Sequence, residues 1–379
     1  MFALEINVNT LGVAEFHPLM VVWFILACVL WIGYLVLEGF DYGVGMLLPF
    51  VAKSEKERRV VINTIGPVWD GNQVWLLTAG GAMFAAFPGW YSALFSGLYL
   101  PLFLVLVGLI LRGVSFEYRS KRPDTKWRSA FDLMTVIGSF LVPLVFGVGF
   151  ANFLLGLPLV QDPNNPQLLV VASSAANIGV TPYFWELFYN GFGFPLLGGV
   201  CLVVLFLFHG AIYLTLKTRG EVQDRARSMA GMIGIASIAL GAVFLVLQNV
   251  ITMGRTGILG WVLLVVAAAG LIVAWVMVRA QRSGIAFIGT SGAILAVTAG
   301  IFWAMYGNLG FSDAATGAPF ADMMGRSAST PGTLTIMLVA ACVFVPIVLA
   351  YTVWVYWVVR HPISVANIPD DLPEPALAS

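Results

Sequence analysis

Trp69-Asp70-Gly71-Asn72-Gln73-Val74-Trp75 leads into an apolar segment that runs from Val74 to Phe87 without a charged residue. The seven residues set one carboxylate and two amides at the mouth of that segment. A charge at the centre of a membrane helix costs roughly 2.5–3.5 kcal/mol on insertion scales, so an ionisable residue beside hydrocarbon points to function. The stretch therefore raises two questions: whether the chain crosses a membrane, and what Asp70 meets there.

Composition answers the first. Of 379 residues, 60% are hydrophobic and 10% charged, and the mean hydropathy is +0.92. Soluble domains carry about 25% charged residues, and a soluble protein of this composition would expose too much apolar surface. The chain reads as an all-α polytopic membrane protein. Its formal net charge is zero, which gives no case for nucleic acid. Cys28, Cys201 and Cys342 lie in apolar runs without a nearby Cys or His, so neither a disulfide framework nor a zinc site is expected. No Lys or Arg precedes Lys53, so the basic start of a signal peptide is missing. The first apolar stretch is expected to be a retained span.

About 20 apolar residues cross a bilayer as a helix. Nine segments meet that length: 19–47, 66–87, 89–112, 131–157, 193–216, 229–251, 258–280, 285–306 and 333–358. They predict one transmembrane domain over 1–361 and a flexible cytoplasmic tail over 362–379. The division near Pro88-Gly89 is the tightest. With nine spans, seventeen of the nineteen Lys and Arg residues fall in alternate loops or the tail; only Arg255 and Arg326 lie on the other side. The positive-inside rule then puts the N-terminus outside and the C-terminus in the cytoplasm. Tyr351, Trp354, Tyr356 and Trp357 read as an interfacial aromatic belt. The outward loops 158–192 and 307–332 are poor in charge and read as ordered covers or partner contacts.

Glu38 and Asp41 interrupt the first span three residues apart, so they share a helix face. From Leu19 to Glu38 a helix rises about 28 Å, which places both acids in the cytoplasmic half. Gly39, Gly43 and Gly45 permit a kink or close helix packing. Asp70 enters from the same side; Pro67 suits a first helical turn, with Thr64 or Gly66 as caps. Gln73 shares the face of Asp70, whereas Asn72 points elsewhere, toward a neighbouring helix. Two readings stand. The acids form a hydrated cluster with amides, able to relay protons; or Glu38 and Asp41 lie at the interface or pair with Arg58 or Arg59, and Asp70 bonds helix-start backbone. Arg112, Glu117 and Arg119 read as surface ion pairs and head-group contacts. Asn152, Gln248 and Asn249 read as helix-to-helix hydrogen bonds.

Histidine is scarce: His17, His209 and His361 are all there are, and only His209 falls within a span. A membrane oxidase holding several haems needs several axial ligands, which this chain does not supply from histidine. It also lacks Cys-x-x-Cys-His and a phosphate-binding glycine loop.

These motifs carry a resemblance. Leu37-Glu38-Gly39-Phe40-Asp41-Tyr42-Gly43-Val44-Gly45-Met46 and Trp69 to Ala86 resemble the signatures of cytochrome bd quinol oxidase subunit II. Phe116-Glu117-Tyr118-Arg119-Ser120-Lys121 and the last span, from Phe344 to Tyr351, are similar too. The resemblance covers most of the chain and is densest from Glu38 to Lys121. It implies nine helices as two four-helix bundles plus one peripheral helix, and a heterodimer with subunit I in the bacterial cell membrane. The implied activity is quinol oxidation coupled to reduction of dioxygen to water. Haem b and haem d would belong to subunit I, with none ligated by this chain. In some members a bound quinone or a proton path belongs to subunit II, and the resemblance leaves room for a small single-span accessory subunit. It makes Asp70 the expected proton-path carboxylate, supported by Glu38, Asp41, Asn72 and Gln73. Glu38 stands where some relatives carry Asp, one methylene shorter. Two other functions compete: a secondary transporter coupled to H⁺ or Na⁺ through the acidic cluster, and a scaffold in which Asp70 is structural. The transporter reading would be favoured by an internal repeat and midplane broken helices; no repeat is visible.

Overall fold

The computed structural model describes residues 17–161, 169–171, 181–320 and 322–369. Its helices are α1 (Pro18–Val51), α2 (Glu55–Ile65), α3 (Trp69–Ala86), α4 (Pro88–Gly97), α5 (Tyr99–Tyr118), α6 (Thr125–Leu155), α7 (Thr181–Lys217), α8 (Glu221–Arg279), α9 (Ser283–Met305), α10 (Met323–Ser327) and α11 (Pro331–Val358). Among the described residues, eight helices or helix segments are long and apolar enough to cross a membrane. The chain is a multi-pass membrane protein.

Eight of the nine expected spans correspond to these eight. The exception is α3, which is 18 residues long but opens on Asp70-Gly71-Asn72-Gln73 and is the least apolar of the expected crossings. It begins at Trp69 rather than 66. Val68 precedes it without a side-chain cap, so neither Thr64 nor Gly66 serves as one.

The expected span 89–112 is corrected: it is two helices, separated at Leu98 (φ −105°, ψ 28°). Pro101 has no N–H to give to the carbonyl of Gly97, and its ring crowds that carbonyl, which favours the break seen at Leu98. The membrane-length helix starts at Tyr99 and carries on past Arg112 to Tyr118, six residues beyond the expected end. α7 breaks at Asn190–Gly193, where Gly191, Phe192 and Gly193 have positive φ. α8 holds two expected spans joined at the single non-helical residue Gly257.

Two large apolar clusters form the core. One centres on Trp23, Phe24, Trp90 and Phe302 and on Trp31, Tyr34, Phe146 and Phe150. The other gathers Phe40, Phe208, Tyr213 and Leu47 toward the Lys- and Arg-rich end of the molecule. α1 and α7 approach most closely at Gly43 and Gly210. A Cβ on Gly43 would run into the Phe206 carbonyl and Gly210 backbone, so a bare backbone is required there. This is the close packing expected of the α1 glycines.

The basic end is laced by ion pairs. Asp132 of α6 accepts from Arg58 of α2 (2.6 Å) and from Arg119, just past α5 (2.5 Å). Arg119 also grips Glu55 with two 2.9 Å bonds. Glu57 caps α2 through the Ser54 and Lys53 N–H groups and pairs with Arg225 of α8. At the opposite end the expected covers are ordered where described. β1 (Leu157–Gln161) pairs antiparallel with β2 (Leu169–Val171) and parallel with β3 (Phe311–Asp313). Loop residues 162–168, 172–180 and 321 lie outside the described residues.

α11 is peripheral in its burial: Leu334 is its one buried residue. After it, the expected flexible tail is held at its start, because Ile363 exchanges backbone bonds with Lys217 (2.9 Å) and Arg219 (3.0 Å). Residues 370–379 of that tail lie outside the described residues.

Candidate functional site: a buried acid cluster

α1 carries Glu38 and Asp41 one helical turn apart, and both are fully buried. Neither pairs with Arg58 or Arg59. Glu38 instead forms an ion pair with Arg112 of α5, which is also fully buried. Arg112 is thus corrected from a surface residue to one buried inside the protein. Its guanidinium also lies over the Tyr42 ring, 4.2 Å from the centroid. Tyr42 and Tyr34 join hydroxyls at 2.6 Å on the same helix.

Asn72 comes in from α3. Its Nδ2 donates to Asp41 Oδ2 (2.7 Å) and to the Leu37 carbonyl (3.2 Å), and its Oδ1 accepts from the Tyr356 hydroxyl of α11 (2.8 Å). One amide therefore links three helices, as expected of a residue facing away from Asp70. Four buried polar atoms of this site have no partner: Glu38 Oε2, Asp41 Oδ1, and Arg112 Nε and Nη2.

Asp70 is placed differently. It is exposed on the first turn of α3, and its side chain makes no hydrogen bond or ion pair among the described residues. It faces the cluster electrostatically, through Glu38, rather than by contact. The structure thus brings Glu38, Asp41 and Asn72 together, leaves Gln73 half-buried next to Asn72 in the α3 sequence, and leaves Asp70 exposed on the first turn of α3. Arg112 and Tyr356 are the members that sequence reasoning assigned elsewhere. A charge inside the run Leu102–Val114 was the available signal for Arg112.

His209 tests whether this chain could hold a haem or metal. It is fully buried, with Nδ1 2.6 Å from Thr290 Oγ1 and Nε2 3.1 Å from the Val36 carbonyl, and its ring stacks on Phe287. Both nitrogens are engaged, and no three His, Cys, Asp or Glu side chains converge among the described residues. These residues do not fit an axial haem ligand or a metal site. A separate cavity between α6, α7, α8 and α9 is apolar, lined by Phe150, Leu202, Phe244, Leu271 and Ile294.

Residues 19–359 match the family model for cytochrome bd terminal oxidase subunit II. The chain belongs to that family. It is 37% identical over 356 residues to cytochrome bd ubiquinol oxidase subunit 2 of Bacillus subtilis (strain 168), covering 93% of this chain and 98% of that one. It is 36% identical over 376 residues to cytochrome bd-I ubiquinol oxidase subunit 2 of Escherichia coli (strain K12), covering 90% and 94%. The fold matches a chain of the bd oxidase from Geobacillus thermodenitrificans with a TM-score of 0.65 at 16% identity, covering 91% of this chain and 98% of that one. As a subunit II, the chain implies a subunit I partner. The match spans every residue of the buried cluster, from Glu38 to Tyr356.

Proposed function

We propose that this chain is the non-haem subunit of a cytochrome bd-type oxidase that couples quinol oxidation to reduction of dioxygen to water. The observation that carries the reading is the family match over residues 19–359, supported by subunit II relatives aligned over nearly their whole length. The haems, b and d, are assigned to subunit I, since the one buried histidine here has both nitrogens engaged. Quinol oxidation is assigned there too. The apolar cavity between α6 and α9 suits the tail of a bound quinone.

α3 is read as the ninth crossing, which gives two four-helix bundles with α11 at the periphery; the near-complete exposure of α11 supports that arrangement. The basic end, where seventeen of the nineteen Lys and Arg residues gather, faces the cytoplasm. The tail from 362 lies on that side. Asp70 then takes protons at the cytoplasmic mouth, and Asn72, Gln73, Asp41 and Glu38 pass them toward subunit I. An exposed carboxylate beside a fully buried acid pair is the arrangement this relay needs.

The test is Asp70→Asn in the assembled oxidase. Quinol oxidase turnover is expected to fall about tenfold, equivalent to ~1.4 kcal/mol on the barrier, while the reduced-minus-oxidised haem spectrum and subunit stoichiometry stay as in the unmutated complex. Unchanged turnover would remove Asp70 from the path.

A further inference from the structure

Glu38, Asp41 and Arg112 set two carboxyls against one guanidinium, all three without solvent exposure. If both carboxyls were ionised, the site would carry a net negative charge in a medium where each unpaired ion costs several kcal/mol. The other groups facing it do not supply a second positive charge. They are Tyr34 and Tyr42 from α1, Asp70 and Asn72 from α3, Tyr213 from α7 and Tyr356 from α11. His209 of α7 is turned to Val36 and Thr290, and Asp132 of α6 is held by Arg58 and Arg119.

The hydrogen bonding makes the same demand. Each carboxyl uses one oxygen: Glu38 Oε1 accepts from Arg112, and Asp41 Oδ2 accepts from Asn72. The remaining oxygens, Glu38 Oε2 and Asp41 Oδ1, are buried without a donor. Yet the two carboxyls lie within hydrogen-bonding reach of each other. Two bare carboxylates cannot bond; a carboxylic acid and a carboxylate can.

We propose that Glu38 and Asp41 hold one proton between them, carried on Asp41 Oδ1 and donated to Glu38 Oε2. The guanidinium on Glu38 fixes the location, because moving the proton to Glu38 would leave Arg112 facing a neutral acid and Asp41 ionised against only an amide. The site is then neutral, with both orphan oxygens satisfied by one hydrogen bond. Within the relay proposed above, this is a preloaded proton: Asp41 is filled at rest, and a further proton enters only after that one moves on.

Infrared spectroscopy of the assembled complex tests the occupancy directly. The unmutated complex is expected to show a protonated-carboxyl C=O stretch that shifts in heavy water and shifts again when aspartate is labelled at its carboxyl carbon. Asp41→Asn, whose amide keeps the bond to Glu38, is expected to lose that band. Glu38→Gln is expected to lose it too, because Asp41 then ionises against Arg112. Absence of a labelled-aspartate band in the unmutated complex would overturn the proposal, and so would its survival in Asp41→Asn. If neither variant assembles, the labelling result in the unmutated complex decides. Turnover of Asp70→Asn is a separate readout, so the relay can fail while the stored proton stands.

Discussion

Arg112 on α5 donates to Glu38 on α1 across 74 positions of the chain, and neither side chain has any solvent exposure. Removing one partner of such a pair strands a buried charge, at a cost of about 3–5 kcal/mol, whereas replacing both by apolar residues is often neutral. Arg112→Leu is therefore expected to lower thermal stability and assembly yield sharply. Arg112→Leu with Glu38→Leu should recover most of that loss. A loss in the double variant equal to the sum of the Arg112→Leu and Glu38→Leu losses, measured by thermal unfolding in detergent, would show that the pair contributes no coupling.

Asn72 and Tyr356 offer a graded comparison. Tyr356→Phe deletes one hydroxyl bond, worth about 1 kcal/mol. Asn72→Ala deletes three and leaves a carboxyl oxygen, a carbonyl and a hydroxyl unanswered. Thermal unfolding should rank Asn72→Ala well below Tyr356→Phe. The reverse order would mean that α11, not the amide, organises this junction.

The basic end should set the acid limit of stability. Burial pushes the Glu57 carboxyl up, but the Lys53 N–H, the Arg225 guanidinium and the Ser54 N–H outweigh it and hold the group below its ordinary value of 4.5. A depressed carboxyl contributes stability that is full above the unfolded value and is lost as pH falls through the folded one. Unfolding temperature should thus fall as pH drops below about 4.5, and Glu57→Gln should flatten that fall. An identical pH profile in the variant would exclude Glu57 as its source.

Gly43 separates packing from propensity. A side chain there meets the α7 backbone, which cannot move aside, so Gly43→Leu should cost at least the ~1–3 kcal/mol of ordinary overpacking and block assembly. Gly231→Ala, where an added Cβ meets nothing within 4 Å, should be neutral or slightly stabilising. Expression and unfolding of the two variants side by side give the readout.

The spans were legible because hydrocarbon length imposes one rule on every crossing. What hydropathy could not see was backbone detail. Pro101 moved a helix start to Tyr99, and the polar first turn of α3 kept it among the less apolar elements. Arg112 shows the same limit at the site. Hydropathy ends a span at the first charge, yet the helix runs on to Tyr118 because Glu38, far away in sequence, neutralises that charge. Glu38, Asp41 and Asn72 were readable as costly polar groups at similar depth. Tyr356 was not, since a tyrosine near a span end reads equally well as an interfacial anchor.

The mooring of α11 has a mechanical consequence. Near its start, Ser329 bonds the Ala85 and Ala86 carbonyls at the end of α3, and Trp23 bonds the Leu334 carbonyl. Near its finish, Lys217 holds the Val359 carbonyl and Ile363 clasps the chain after α7. A rod fastened at both ends and bare along its middle transmits length but ignores its sides. The fastenings set where Tyr356 stands, 2.8 Å from the Asn72 amide oxygen. The hydroxyl that closes the acid cluster is positioned by a helix held at its two ends, like a latch on a strut.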